Sequence, residues 1–185
     1  PDYQRIEGTS EGVPIVSYVL PAHAEAGQAA VAIAQQALPI YRRAYGSYPF
    51  ERLVIAENAY HGSMEYSGLL SISRDAYERF RAGPQSAMVS LVAHEAAHQW
   101  WYHAVGNDQV TEPWLDEAFA KYSELLYFEE VAPDLVGWWW EAQGYGAGGA
   151  LNATVYDFED GQDYFRQIYA QGAHFLDDLR WRIGD

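Results

Sequence analysis

The sequence predicts an α+β domain: a small sheet built early in the chain, followed by a mainly helical part. Two observations carry this. Short apolar runs bounded by turn residues fall before residue 74, and after Gly83-Pro84 apolar residues recur at helical spacing. A third bounds the size. With 185 residues, 49% of them hydrophobic and 16% aromatic, the chain can bury one sizeable core but not two large ones.

Residues 1–21 read as a lead-in segment and linker strand, with residues 22–185 forming the domain proper. Pro1 to Val13 is polar and Gly-rich without clear periodicity, and "PIVSYVLP" alternates between two prolines as a short strand would. From His23 to Tyr45, Ala30, Ile33, Ala37, Leu38 and Tyr41 lie at helical spacing, and Gly46 and Pro49 break the pattern. "RLVIAEN" and "GLLSIS" suit buried strands, and "YHGSMEYS" reads as the loop before the second. A helix is expected from Gln85 to Tyr102 with Gly106-Asn107 as its stop, and another from Pro113, a first-turn proline, to about Glu130. Pro133 opens a segment with Trp138-Trp139-Trp140, which cannot all face one core, so part of the run is expected in a hydrophobic patch or against another domain. "GYGAGGALNAT" reads as a turning stretch, and a last helix as Asp163 to Arg182.

A formal charge of −15 argues against nucleic acid or an anionic membrane as partner, since both need a basic surface. The absence of cysteine excludes disulfides and thiolate ligands, so any zinc must be held by His and carboxylate. No apolar run approaches the roughly 20 residues of a membrane span. The text opens at Pro1 rather than Met, as an excised or processed chain would.

The chemistry is concentrated in "LVAHEAAHQWW". His94 and His98, four apart on a helix, project from one face and can grip a single zinc ion. Glu95 is rotated by roughly 100° around the axis, out of the ligand set but within reach of an activated water, the place of a general base. Catalytic zinc wants a third protein ligand, and "EPWLDEAFAKY" offers Glu117, with eighteen residues between it and His98. An antiparallel return would bring Glu117 over both histidines, with Trp114, Leu115, Phe119 and Tyr122 as the packing face. Asp116 and Glu124 are both candidates to orient an imidazole; for Asp116 that reading and a solvated acid weigh equally, and for Glu124 the solvated acid is favoured.

HExxH, eighteen residues and then Glu within "WLDEAFA" resembles the gluzincin aminopeptidases, the family of aminopeptidase N and leukotriene-A hydrolase. The family text is WLNEGFA, so Asp116 stands for Asn and Ala118 for Gly. The resemblance implies a thermolysin-like catalytic domain holding one zinc on His94, His98 and Glu117, with Glu95 as base. It also implies flanking domains, an N-terminal β domain and a C-terminal helical one, outside this text, so that the fragment alone would turn over poorly.

Upstream, "HGSMEYSGLL" is similar to that family's GAMEN signature, with Gly62, Ser63, Met64 and Glu65 aligned and Tyr66 in place of Asn. A carboxylate near the zinc that pairs with a free α-ammonium makes an exopeptidase, and backbone groups of Gly62 and Ser63 are placed to hold the peptide as an added strand. Downstream, "YFRQIYAQG" resembles the YxKG segment, which implies Tyr169 as the oxyanion donor; Tyr164 is a nearby competitor, and Gln171 replaces Lys. His61 neighbours Gly62 and is a further candidate for the site lining. The implied reaction is hydrolysis of the N-terminal peptide bond of a peptide with a free N-terminus. The alternatives are an endopeptidase or epoxide hydrolase on the same zinc scaffold, and a non-catalytic zinc-stabilised pseudo-peptidase module.

Overall fold

The computed structural model describes residues 2–144 and 148–184. A five-stranded mixed sheet has the order β1-β2-β3-β5-β4, formed by β1 (Gln4–Ser10), β2 (Val13–Val19), β3 (Leu53–Glu57), β4 (Met64–Tyr66) and β5 (Leu69–Ile72). The helices are α1 (Ala24–Tyr45), α2 (Arg74–Glu78), α3 (Ala87–Ala97), α4 (Trp114–Val131), α5 (Val136–Gln143), α6 (Gly161–Tyr164) and α7 (Gln171–Ile183). The expected α+β order is present.

Two strands lie where none was expected. The unpatterned lead-in forms β1, paired antiparallel with β2 through a tight turn at Glu11 and Gly12, both with positive φ. One face of β1 stays exposed and polar, so its pattern is weak, and pairing rather than periodicity makes it a strand. The loop before "GLLSIS" contains β4, an edge strand antiparallel to β5. Its alternation turns Glu65 inward and leaves Met64 and Tyr66 outward. The family departure at Tyr66 therefore falls on the outward face.

Helix α1 packs on β1 and β2 and reaches α3 and α4, burying Ala30, Ile33, Ala37, Leu38 and Tyr41 as its spacing predicts. The Tyr41 hydroxyl lies 3.1 Å from the carbonyls of both Ala93 and Ser123, pinning α1 to α3 and α4. Ser86 caps α3, its hydroxyl accepting from the Met88 amide.

That helix ends sooner than expected. His98 is already its C-cap, and the chain then turns through Tyr102, whose φ is +88°, with Trp101 bridged to Val105. The cause is the anchoring of Trp100, which is buried against Tyr41, Tyr45 and Tyr48 and donates to the Gly46 carbonyl. Pro113 is the N-cap of α4 rather than its first helical residue. On α4, Trp114, Leu115 and Phe119 are only half-buried, whereas Ala118, Ala120 and Tyr122 are buried.

The tryptophan run does not form an exposed patch. Trp139 is fully buried, while Trp138 lies beside Phe128 and Trp140 stacks on His174 with ring centroids 4.3 Å apart. Of the glycine-rich stretch, residues 145–147 lie outside the described residues; Gly144, Gly148 and Gly149 all take positive φ, as a turning stretch requires. The expected last helix is α6 and α7 joined through a π-helical stretch, Phe165–Ala170.

Candidate metal centre and active site

Three donor atoms converge where α3 meets α4. His94 Nε2 lies 3.2 Å from His98 Nε2 and 3.2 Å from Glu117 Oε2, and His98 Nε2 lies 3.4 Å from the same oxygen. A tetrahedral zinc with bonds of about 2.0–2.1 Å has donor–donor edges of roughly 3.3 Å, so two imidazoles and a carboxylate at these separations fit zinc. The outer nitrogens are also occupied. His94 Nδ1 donates to Glu124 Oε1 at 3.0 Å and His98 Nδ1 to the Trp101 carbonyl at 3.2 Å, which turns both Nε2 atoms inward.

The electrostatics follow from this crowding. Burial alone would lower the His94 pKa, but hydrogen bonds and charge from Glu117 and Glu124 outweigh it and lift the imidazole to about 10. Burial would likewise raise Glu117, yet its bonds from His94 and His98 hold its carboxyl well below the usual range. Glu95 behaves differently. Burial pushes it up to about 7, against the pull of His94 and His98, and its buried Oε2 makes no hydrogen bond to the described residues.

Glu124 was expected to be a solvated acid. It is 2% exposed, and besides His94 it accepts from Lys121 and from the Trp139 indole. The signal for it was its spacing. It lies seven positions after Glu117, two turns along one helix face. Asp116 is also fully buried, but it accepts from Gln109 and the Glu117 amide rather than from an imidazole.

Two cavities flank the donor cluster. One, of about 270 Å³, is lined by Ser63, Leu91, His94, Glu95, Lys121 and Tyr169 among others. Tyr169 stacks on His94 with centroids 5.7 Å apart, and burial first, then the neighbouring Glu117, raises its pKa well above the ordinary phenol value. The second, of about 180 Å³, is lined by Met64, Glu65, Gln109, Asp116, Glu117 and Tyr164. Tyr164, the competitor, thus faces Glu65 and not His94. A larger cleft of about 580 Å³ between α1, α4 and α7 holds none of these groups and has no chemistry to match.

The hairpin carrying Glu65 is tied to the HExxH helix by Gln99, a residue no motif singled out. Its side chain accepts from the Gly68 amide at 2.8 Å and donates to the Tyr66 carbonyl at 3.1 Å. Ser63 accepts from the Ser73 amide, and the Gly62 carbonyl is taken by Asn58. His61 stays out of the site; it is exposed and pairs with Asp75. Gln171 binds the glycine-rich stretch through Gly148 and Gly149.

The sequence of the Peptidase family M1 domain matches residues 29–185. The chain belongs to peptidase family M1. Relatives of this M1 chain include Aminopeptidase M1-D of Oryza sativa subsp. japonica, 30% identical over 145 residues, which cover 74% of the chain and 16% of that protein. Endoplasmic reticulum aminopeptidase 2 of Homo sapiens is 29% identical over 143 residues, covering 72% and 15%. Aminopeptidase N of Acetobacter pasteurianus is 29% identical over 129 residues, covering 65% and 36%. The M1 chain therefore spans about a sixth of the length of the first two and about a third of the third. Membership agrees with the thermolysin-like α+β fold implied by the HExxH text. No helix among the described residues is long and apolar enough to cross a membrane.

Proposed function

We propose that this chain is the catalytic part of a zinc aminopeptidase that hydrolyses the N-terminal peptide bond of peptides. One observation carries the reading: the donor cluster of His94, His98 and Glu117 has the buried carboxylate of Glu95 on one side and that of Glu65 on the other. Zinc held there supplies Lewis acidity when bound. Glu95 takes a proton from the attacking water and returns it to the departing amine. A buried carboxyl whose Oε2 bonds to none of the described residues is free to take up that proton and give it back. Tyr169 keeps its proton and donates a hydrogen bond to the oxyanion that forms on the scissile carbon. Glu65 pairs with the substrate's α-ammonium, while the outer edge of β4 and the neighbouring Ser63 and Met64 align the peptide backbone as an added strand. Because the matched residues make up only 15% to 36% of these relatives, we infer flanking domains of the same protein beside this one, with the activity belonging to the whole.

The test uses the full-length protein with an aminoacyl-arylamide and its N-acetylated form. Glu95→Gln is expected to keep bound zinc and lose about 10²–10⁴ in turnover. Wild-type protein should cleave the free amine and spare the acetylated substrate. Equal cleavage of both would remove Glu65 as the anchor, and wild-type turnover in Glu95→Gln would remove the enzyme reading altogether.

A further inference from the structure

Gln109 lies in the loop between α3 and α4, and its side-chain nitrogen makes two hydrogen bonds at once. Nε2 donates to Glu65 Oε1 and to Asp116 Oδ2, each at 2.8 Å. A carboxamide nitrogen carries two hydrogens, so both bonds form without compromise. Behind it, the buried Asp116 uses its other oxygen to accept from the Glu117 amide at 2.9 Å. The loop is braced as well: Asp108 accepts from the amides of Val110 and Thr111, and Asn107 donates to the Glu112 carbonyl. A continuous hydrogen-bonded path thus runs from the first turn of α4, through Gln109, to Glu65 on the edge strand.

The cavity at the end of this path carries three carboxylates, those of Glu65, Asp116 and Glu117. A lysine or arginine in place of Gln109 would pair with the same oxygens and cancel the charge that attracts an ammonium group. A neutral amide orients the carboxylates and leaves their charge available. Orientation matters here because a glutamate on a three-residue strand has several rotamers to choose from. An anchor pairs with the ammonium at full strength only when it is held in one of them.

We infer that Gln109, backed by Asp116, is the positioning residue of the amine subsite. It fixes one oxygen of Glu65 so that the other is presented to the substrate's α-ammonium. The inference rests on the reading of Glu65 as the anchor for a free N-terminus.

The experiment compares wild type, Gln109→Leu, Gln109→Glu and Glu65→Gln in the full-length, zinc-loaded protein. Leucyl-4-nitroanilide and its N-acetylated form are the probes, with zinc content measured in parallel. Gln109→Glu keeps the shape and removes the donor, so lost packing cannot explain a shared effect. Both Gln109 variants should raise KM for the free amine by about tenfold or more, as loss of a charge-assisted hydrogen bond would, with kcat within about threefold and zinc unchanged. An unchanged KM, a fall in kcat at constant KM, or loss of zinc in both variants would overturn the inference. If Glu65→Gln keeps the wild-type preference for the free amine, the anchor reading itself fails. If that variant loses the preference while the Gln109 variants keep their KM, the inference alone fails.

Discussion

Glu124 serves three donors with two oxygens in a place where an unpaired carboxylate would be costly. Burial opposes its charge, but Lys121 above all, and then His94, hold its pKa below the usual value. The Trp139 indole completes the set, and Lys121 lies over the Trp139 and Phe165 rings at 5.6 and 5.5 Å. Each of these contacts fixes the carboxylate that fixes His94. Glu124→Ala should therefore weaken zinc binding by about 10–100-fold, read by competition with a chromogenic chelator. Wild-type affinity in that variant would show that packing alone orients the ring. At this scale the convergence of His94, His98 and Glu117 was legible, because HExxH and its distant Glu combine helix geometry with ligand chemistry. Gln99 and Gln109 were not read, and Glu124 was read as a solvated acid rather than as the partner of His94. The partners of Glu124, Gln99 and Gln109 lie 30, 33 and 44 residues away in the chain; spacing puts Glu124 on the helix face of Glu117, but it does not report which distant group that face meets.

Two helices bring Tyr169 to His94, and one glycine sets how closely they cross. A Cβ on Gly172 would lie 2.3 Å from the Cβ of Ala118, so α7 and α4 cannot both carry a side chain at this point. That relates one departure in the motifs to one retention: Ala118 fills the space that the family's glycine leaves open, and Gly172 on the facing helix is kept. Gly172→Ala should cost about 1–3 kcal/mol by overpacking, measured by urea denaturation. Adding Ala118→Gly should recover most of it, a coupling that two independent sites would not show. A double variant no more stable than Gly172→Ala would refute the close crossing. Elements with a strong amphipathic signal, α1 above all, were legible almost to their ends. Those that depend on partners were not. β1 and β4 exist through pairing, α3 ends because Trp100 is captured by rings of α1 and its following turn, and the π stretch before Tyr169 has no composition of its own.

The whole chain carries 26 acidic and 11 basic residues, and the imbalance acts on its stability. Part of the acidity is built into the interior, where Glu57, Glu65, Asp116 and Glu124 are buried with hydrogen-bonding partners and Glu95 is buried with an Oε2 that bonds to none of the described residues. Apart from Glu117 in the donor cluster, most of the other acids among the described residues lie on the surface. Several arginines are engaged there, in the pairs Arg5–Glu7, Arg42–Glu11, Arg43–Glu130, Arg166–Asp163 and Arg180–Glu129. Exposed pairs of this kind contribute about 0–1 kcal/mol each. Salt weakens them, but it also screens the repulsion among all the unpaired carboxylates, which acts over a Debye length of about 10 Å at 0.1 M. With a net charge of −15 the repulsive sum is the larger, and self-repulsion of this sign opposes the compact state. The thermal midpoint should therefore rise by a few degrees between low salt and roughly 0.5 M sodium chloride at pH 7, as scanning calorimetry would show. Chloride keeps the test electrostatic, since sulfate would also strengthen apolar burial. A midpoint that falls with added chloride would mean that the surface pairs outweigh the repulsion, and that the acidic surface is arranged locally rather than tolerated globally.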